Sequence, residues 1–184
     1  KILISSMLNL TKFDNGTIEI HYQLFPIQDL AFRTILMFES RLEKRNITLE
    51  GLDSEPVQVW GDPDLIGQVI YNLFENATKF VNTGGTITFT FKDEPNSTSI
   101  AIRNTGAGIS KEELPKIFER FYKSDDSRSH DKTGLGIGLD ITKHIVRLHK
   151  AQISVSSEEG EYTEFLIRLP KKDAPAESPT ENPE

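Results

Sequence analysis

Residues 62–80 read DPDLIGQVIYNLFENATKF, and the helix they encode carries two asparagines where a core surface should have none. Leu65, Ile66, Val69, Ile70, Leu73, Phe74 and Ala77 recur at helical spacing and form one wide apolar face. Asp62 followed by Pro63 is a helix start, a capping carboxylate and then a residue whose missing N–H is harmless in the first turn. Asn72 and Asn76 lie one turn apart on one side, with Lys79 a further turn along. At roughly 100° per residue both asparagines fall on the margin of the apolar face. An amide held there needs a partner, since a buried polar group without one costs about 1–3 kcal/mol. From this helix alone two uses stay open. The amides cap neighbouring backbone groups, or they reach a phosphate-bound Mg²⁺, which takes hard oxygen ligands.

Outward from this helix the chain alternates helices and strands. Residues 2–13 read as the last turns of a helix stopped by Asp14-Asn15-Gly16, and the start on Lys1 reads as the cut edge of a longer hairpin. Residues 17–25 alternate as a strand, and Pro26 opens a helix to about Lys44 with Ile27, Leu30, Ala31, Ile35, Met37 and Phe38 inward. Residues 47–52 and 57–60 are short strands, and residues 86–92 and 99–103 form a hairpin about the turn at 93–96. A glycine-bearing loop at 104–109 leads to a short helix at 110–117, with Glu112 and Glu113 in its first turn. Residues 123–132 are polar, without an apolar anchor, and read as a mobile loop. Residues 133–138, TGLGIG, open an amphipathic helix to about Lys150, and residues 153–157 and 162–169 make a final hairpin. Residues 171–184, rich in Pro, Glu and Ser, read as a disordered tail. Three long helices, at 26–44, 62–80 and 133–150, with hairpin-joined strands imply a two-layer α/β sandwich with a mixed sheet packed on those helices.

Composition narrows the function classes. A net charge of −7 argues against a nucleic-acid footprint and against a polybasic membrane surface. The absence of cysteine excludes disulfides and thiolate chemistry. No apolar run reaches the roughly 18–20 residues of a membrane span.

Gly134, Gly136 and Gly138 invite misreading as a dinucleotide fingerprint, but that motif requires a preceding strand inside a βαβ unit. Here a polar loop precedes and a β-hairpin follows, so the Rossmann reading fails. Glycines at a helix start still let backbone N–H groups approach phosphate oxygens, with a packing role as the alternative. The second tight turn, Asn104-Thr105-Gly106-Ala107-Gly108-Ile109, ends a strand. An amide oxygen there can accept a hydrogen bond from an exocyclic amine, which favours adenine over guanine.

The order of these pieces closely resembles the ATP-binding catalytic domain of sensor histidine kinases, in the superfamily that includes gyrase and mismatch-repair ATPases. Residues 72–80 match that family's N box, 104–109 its first glycine box, 118–121 (FERF) its F box and 133–138 its second glycine box. The resemblance runs from about residue 2 to residue 170 and implies a sandwich with a flexible ATP lid. It divides the chain into a remnant of the dimerisation hairpin (1–16), a catalytic domain (17–170) and the tail (171–184).

Residue by residue, the resemblance implies that Asn72 and Asn76 reach Mg²⁺ and the phosphates and that Lys79 pairs with phosphate charge. Asn104 takes the adenine-reading position, where the family usually has Asp; it keeps an acceptor oxygen but loses the charge. Gly106 and Gly108 line the adenine pocket, with Ile109 and Phe80 as apolar walls. Lys123 stands where many members place an Arg, and Arg120 is a second basic candidate near the γ-phosphate. Thr133, Gly134, Leu135 and Gly136 offer backbone to the phosphates, and Lys132 replaces a further hinge glycine.

Superfamily ATPases carry a Glu four residues before the metal Asn, where it activates water. That position here is Asn72, which cannot take a proton at neutral pH, so ATP should persist until another nucleophile arrives. The resemblance therefore implies a protein histidine kinase of a bacterial two-component system, using ATP and Mg²⁺. The acceptor histidine lies on the hairpin that precedes Lys1, and the next partner is the receiver domain of a response regulator. The parent is expected to be a homodimeric, membrane-anchored sensor with this part in the cytoplasm, and the fragment itself a monomer. Among the four histidines, His130 falls in the lid, while His144 and His149 ride the final helix in packing or surface roles. The rival reading is a degenerate module that docks partners and holds nucleotide weakly or not at all, and Asn104 is the residue that favours it.

Overall fold

The computed structural model describes residues 18–122 and 136–172. The expectations for residues 1–17, for the loop at 123–132, for Lys123, Thr133, Gly134 and Leu135, and for the tail from 173 onward lie outside the described residues.

Strands β1 (Gln23–Pro26) and β3 (Gln58–Gly61) pair antiparallel as a small two-stranded sheet. The main sheet has five strands in the order β2-β4-β5-β7-β6: β2 (Thr48–Glu50), β4 (Thr86–Asp93), β5 (Ser97–Thr105), β7 (Tyr162–Pro170) and β6 (Gln152–Glu158). The β2–β4 pairing is parallel and the other three are antiparallel, so the sheet is mixed. Helices α1 (Ile27–Lys44), α2 (Pro63–Phe80) and α3 (Gly138–Leu148) complete the architecture among the described residues. No helix there is long and apolar enough to cross a membrane.

The register explains the layering. Phe89 sits opposite Ile102, and Ile102 opposite Phe165; Phe91, Ile100 and Ile167 make the next row. These period-2 positions are buried under the helices, whereas Thr88, Thr90, Arg103 and Arg168 alternate onto the other face. Helix α2 presents Ile66, Val69, Ile70, Leu73 and Phe74 to that surface, all at most 1 % exposed. Burying each such side chain contributes about 1.5–3 kcal/mol, which outweighs the modest helix propensity of the β-branched residues among them. Phe74 meets Phe38 of α1 on one side and Phe89 of β4 on the other.

Several boundaries differ from the sequence expectation. The first strand covers only Gln23–Pro26, and Tyr22 and Leu24 are exposed. Met37 is 69 % exposed rather than inward, because the buried stripe of α1 runs through Ala31, Thr34, Phe38 and Leu42. Residues 110–117 do not form an α-helix: only a single 3₁₀ turn, Leu114–Lys116, is present, with Pro115 lacking the N–H that would extend it.

Candidate nucleotide site

The start of α2 is fixed as its sequence dictates. Asp62 Oδ1 accepts from the backbone N–H groups of Asp64 (3.0 Å) and Leu65 (3.2 Å), and Pro63 occupies the first turn. The other end is held by an arginine that no local sequence pattern singles out. Arg45, just past α1, donates to the carbonyl oxygens of Thr78 (2.6 Å) and Val81, so a cation caps the negative end of α2.

Asn72 and Asn76 differ in their surroundings. Asn72 is 7 % exposed, and its Nδ2 donates to Gly138 O at 3.1 Å and Thr142 Oγ1 at 3.4 Å, tying α2 to the first turn of α3. The capping use of this amide is therefore real, and it consumes the nitrogen but not Oδ1. Asn76, one turn on, is partly exposed, and its carboxamide has no hydrogen bond among the described residues. Lys79 pairs with Glu75, four residues earlier on α2, at 3.4 Å.

Phe80 and Val81 bring the end of α2 to the NTGAGI loop. Val81 bridges Gly106, whose φ of 151° lies in glycine's region and whose missing side chain would stand 2.2 Å from Phe80 O. Gly108 (φ 71°) is equally constrained, with Glu158 O only 2.3 Å from where a Cβ would be. Both glycines thus have a packing reason as well as the pocket-lining role expected of them. The loop is held further by Gly106 N–H to Glu161 O (3.1 Å) and Ile109 N–H to Ser157 Oγ (2.8 Å). Ile109 and Phe80 are partly exposed at the rim, Phe80 by 39 %.

Asn104 stands at the end of β5 on the face of the sheet covered by the helices, level with Ile87 and Thr163. It is 4 % exposed, and its Nδ2 donates to Thr105 O at 3.0 Å. One N–H of this amide is spent on the carbonyl of the next residue, and Oδ1 is an uncharged acceptor suited to an exocyclic amine.

The F-box segment leads to the second glycine box. Phe121 N–H donates to Gly136 O at 3.0 Å, and Gly136 (φ 68°) has Tyr122 O at 2.8 Å from its missing Cβ. Phe121 itself is held at φ 66°, an unfavourable region for an aromatic residue, while 65 % exposed. Arg120 Nε donates to Asp140 Oδ2 at 2.8 Å, joining this segment to α3. Asp140 was not singled out from the sequence, because nothing local announces a partner twenty positions away.

Asn72, Asn76, Lys79 and Phe80 thus run along the second half of α2, with the start of α3 against Asn72, Gly106 against Phe80 and Val81, and Asn104 at the strand end that leads to Gly106. Among the described residues no group of three or more His, Cys, Asp or Glu side chains is placed to hold a metal. Beside the Glu75 carboxylate, which pairs with Lys79, the side-chain oxygens that Asn72 and Asn76 offer here are neutral amides.

A family model described as histidine kinase-, DNA gyrase B-, and HSP90-like ATPase matches residues 61–173. Sensor protein SrrB of Staphylococcus aureus is 32% identical over 170 residues, which is 92% of this chain and 29% of SrrB. The chain thus spans less than a third of the curated relatives it matches. Among solved structures, the catalytic domain of histidine kinase ThkA aligns with a TM-score of 0.71 and 28% identity, covering 82% of this chain and 96% of that one. The histidine kinase AdeS of Acinetobacter baumannii agrees in fold, with a TM-score of 0.75 at 22% identity over 93% of this chain and 78% of its own. By its matched residues, and by the mixed five-stranded sheet and three helices among the described residues, the chain belongs to the histidine kinase-, DNA gyrase B- and HSP90-like ATPase family, as an ATP-binding catalytic domain of the sensor histidine kinase type.

Proposed function

We propose that this chain binds ATP with Mg²⁺ between the end of α2 and the loop after β5 and delivers the γ-phosphoryl group to a histidine of its parent protein. Residues 1–16 belong, on this reading, to the dimerisation hairpin that carries that histidine. The parent is a homodimeric, membrane-anchored sensor whose catalytic part lies in the cytoplasm, and this piece alone is a monomer. The phosphoryl group passes on to an aspartate of a response-regulator receiver domain.

The observation that carries the reading is the pair of carboxamides on α2. Asn76 has no hydrogen-bond partner among the described residues, and Asn72 keeps its Oδ1 unspent. Hard, neutral oxygen donors of this kind fit Mg²⁺, which is held by few protein groups and by substrate phosphates. When bound, Mg²⁺ neutralises charge on the phosphate oxygens. Asn104 Oδ1 accepts from the exocyclic amine of adenine, and Phe80 and Ile109 wall the base. Lys79, Arg120 and Lys123 supply positive charge toward the phosphates, and Thr133, Gly134, Leu135 and Gly136 supply backbone. Asn72 stands where hydrolases of this superfamily need a carboxylate, and an amide removes no proton from water. Phosphoryl transfer needs chiefly positioning and charge neutralisation, which this set provides.

The test is transfer in trans. Labelled ATP and Mg²⁺ with this chain alone should leave it unlabelled, and a separately expressed hairpin of the parent should acquire an acid-labile label. Label on this chain by itself, or none on the hairpin, counts against the proposal. The docking-module alternative rests on the uncharged Asn104. It is separated by thermal melting with ATP·Mg²⁺, since a ligand bound only to the folded state raises the midpoint.

A further inference from the structure

Thr142 lies one helical turn after Gly138 in α3 and is 0 % exposed, with no place in any of the four sequence boxes. Its hydroxyl donates to Gly138 O at 2.9 Å. That commits its only proton, so toward Asn72 Thr142 Oγ1 offers lone pairs alone. Asn72 therefore meets two acceptors, Gly138 O at 3.1 Å and Thr142 Oγ1 at 3.4 Å, and both N–H bonds of Nδ2 have a partner. Turning this amide over would set Oδ1 against both oxygens and leave the donors without acceptors in a buried position.

We propose that Thr142 is a positioning residue for the nucleotide site: its hydroxyl, together with Gly138 O, fixes the amide of Asn72 so that Oδ1 is the only atom left for a ligand. Asn72 is then restricted to cations and hydrogen-bond donors and cannot donate to a phosphate oxygen. The proposal rests on the ATP·Mg²⁺ reading above and assigns Asn72 to the metal side of it. Gly138 is not the constraint on this contact, because a methyl there would stand 3.7 Å from Asn72 Cγ, an ordinary van der Waals distance.

Two measurements on the whole chain test it. The first needs no nucleotide: hydrogen exchange of the Asn72 side-chain amide by NMR, with Asn76 as an internal reference. Asn72 should exchange at least about tenfold more slowly than Asn76, faster in Thr142→Val, and at its original rate in Thr142→Ser, which keeps the hydroxyl. Equal rates for the two asparagines in the wild-type chain overturn the proposal.

The second is calorimetric binding of a non-hydrolysable ATP analogue in Mg²⁺ and in EDTA. Thr142→Val should bind on the order of fivefold more weakly in Mg²⁺ and equally well in EDTA, with Thr142→Ser restored. A loss of the same size in both buffers marks a merely structural role, and no loss in Mg²⁺ marks no role; either result overturns the proposal. A wild-type chain that binds no analogue in either buffer overturns instead the nucleotide reading on which it rests, while leaving the exchange result to report on the amide alone.

Discussion

His149 Nε2 accepts the backbone N–H of Asp62 at 3.0 Å, across 87 positions of sequence, while its Nδ1–H donates to Ile145 O at 2.8 Å. Both ring nitrogens are thus committed in the neutral form, and the ring joins the end of α3 to the start of the asparagine helix. Burial lowers its pKa below the ordinary 6.5, against the raising effects of the Ile145 bond and the nearby Asp62 charge.

This contact sets a direction for stability against pH. The unfolded chain protonates His149 near the ordinary 6.5, and the folded chain only below it, so between the two values the unfolded state holds more protons. The contribution is whole above that ordinary value and is lost as pH falls through the folded-state value. Urea unfolding from pH 7.5 downward should show this decline, and His149→Leu should flatten it below pH 6.5 while costing about 1–3 kcal/mol at pH 7.5 by orphaning the Asp62 N–H. An unchanged slope in the variant would contradict the assignment.

Asn76→Ala should separate binding from folding. Since its carboxamide makes no hydrogen bond among the described residues, the substitution is expected to change stability by less than about 0.5 kcal/mol. Calorimetry should at the same time show loss of Mg²⁺-dependent nucleotide binding. Retained binding would remove Asn76 from the metal role.

The glycines of the first box should be more sensitive to alanine than Gly84, which precedes β4. Gly106→Ala and Gly108→Ala would place a methyl 2.2 Å from Phe80 O and 2.3 Å from Glu158 O, and each should cost at least about 2 kcal/mol. Gly84→Ala, at φ 73° with nothing within 4 Å, should cost only the conformational term of about 1 kcal/mol. Equal losses by urea titration would show that close packing is not what sets the first two.

Asn104→Asp is expected to weaken the free protein rather than improve it. The carboxylate would lose the 3.0 Å bond that Nδ2 makes to Thr105 O and turn an oxygen toward that carbonyl, in a site 4 % exposed. The cost should be about 1–3 kcal/mol in thermal or urea unfolding without nucleotide. A more stable variant would mean that this site prefers a carboxylate.

How far the sequence could be read depends on the range of the interaction concerned. The asparagine helix was legible because a cap, a proline and a periodic apolar face all lie within its own nineteen letters. The long hairpins were legible from alternation, since Ile87, Phe89 and Phe91 announce one face of a strand by themselves. Met37 was misplaced because a helical wheel does not say where the buried stripe ends, and the packing of α1 on α2 narrows it to Ala31, Thr34, Phe38 and Leu42. The 110–117 segment carried a good first turn, but Pro115 interrupts it and only a 3₁₀ turn survives. Arg45, Asp140 and Thr142 escaped notice for one reason: each acts on a partner 20 to 70 positions away, and no local pattern encodes that. Conversely, Asn72 and Asn104 were found by position alone, and only their side-chain bonds reveal which of their atoms remain for a ligand.

The most direct test of the nucleotide site is a crystal of this chain grown with Mg²⁺ and a non-hydrolysable ATP analogue. The account predicts the adenine amine against Asn104 Oδ1, the base beside Phe80 and Ile109, and the metal within reach of the Asn76 and Asn72 oxygens. A nucleotide bound elsewhere, or one bound there with both asparagine oxygens turned away from the metal, would contradict it.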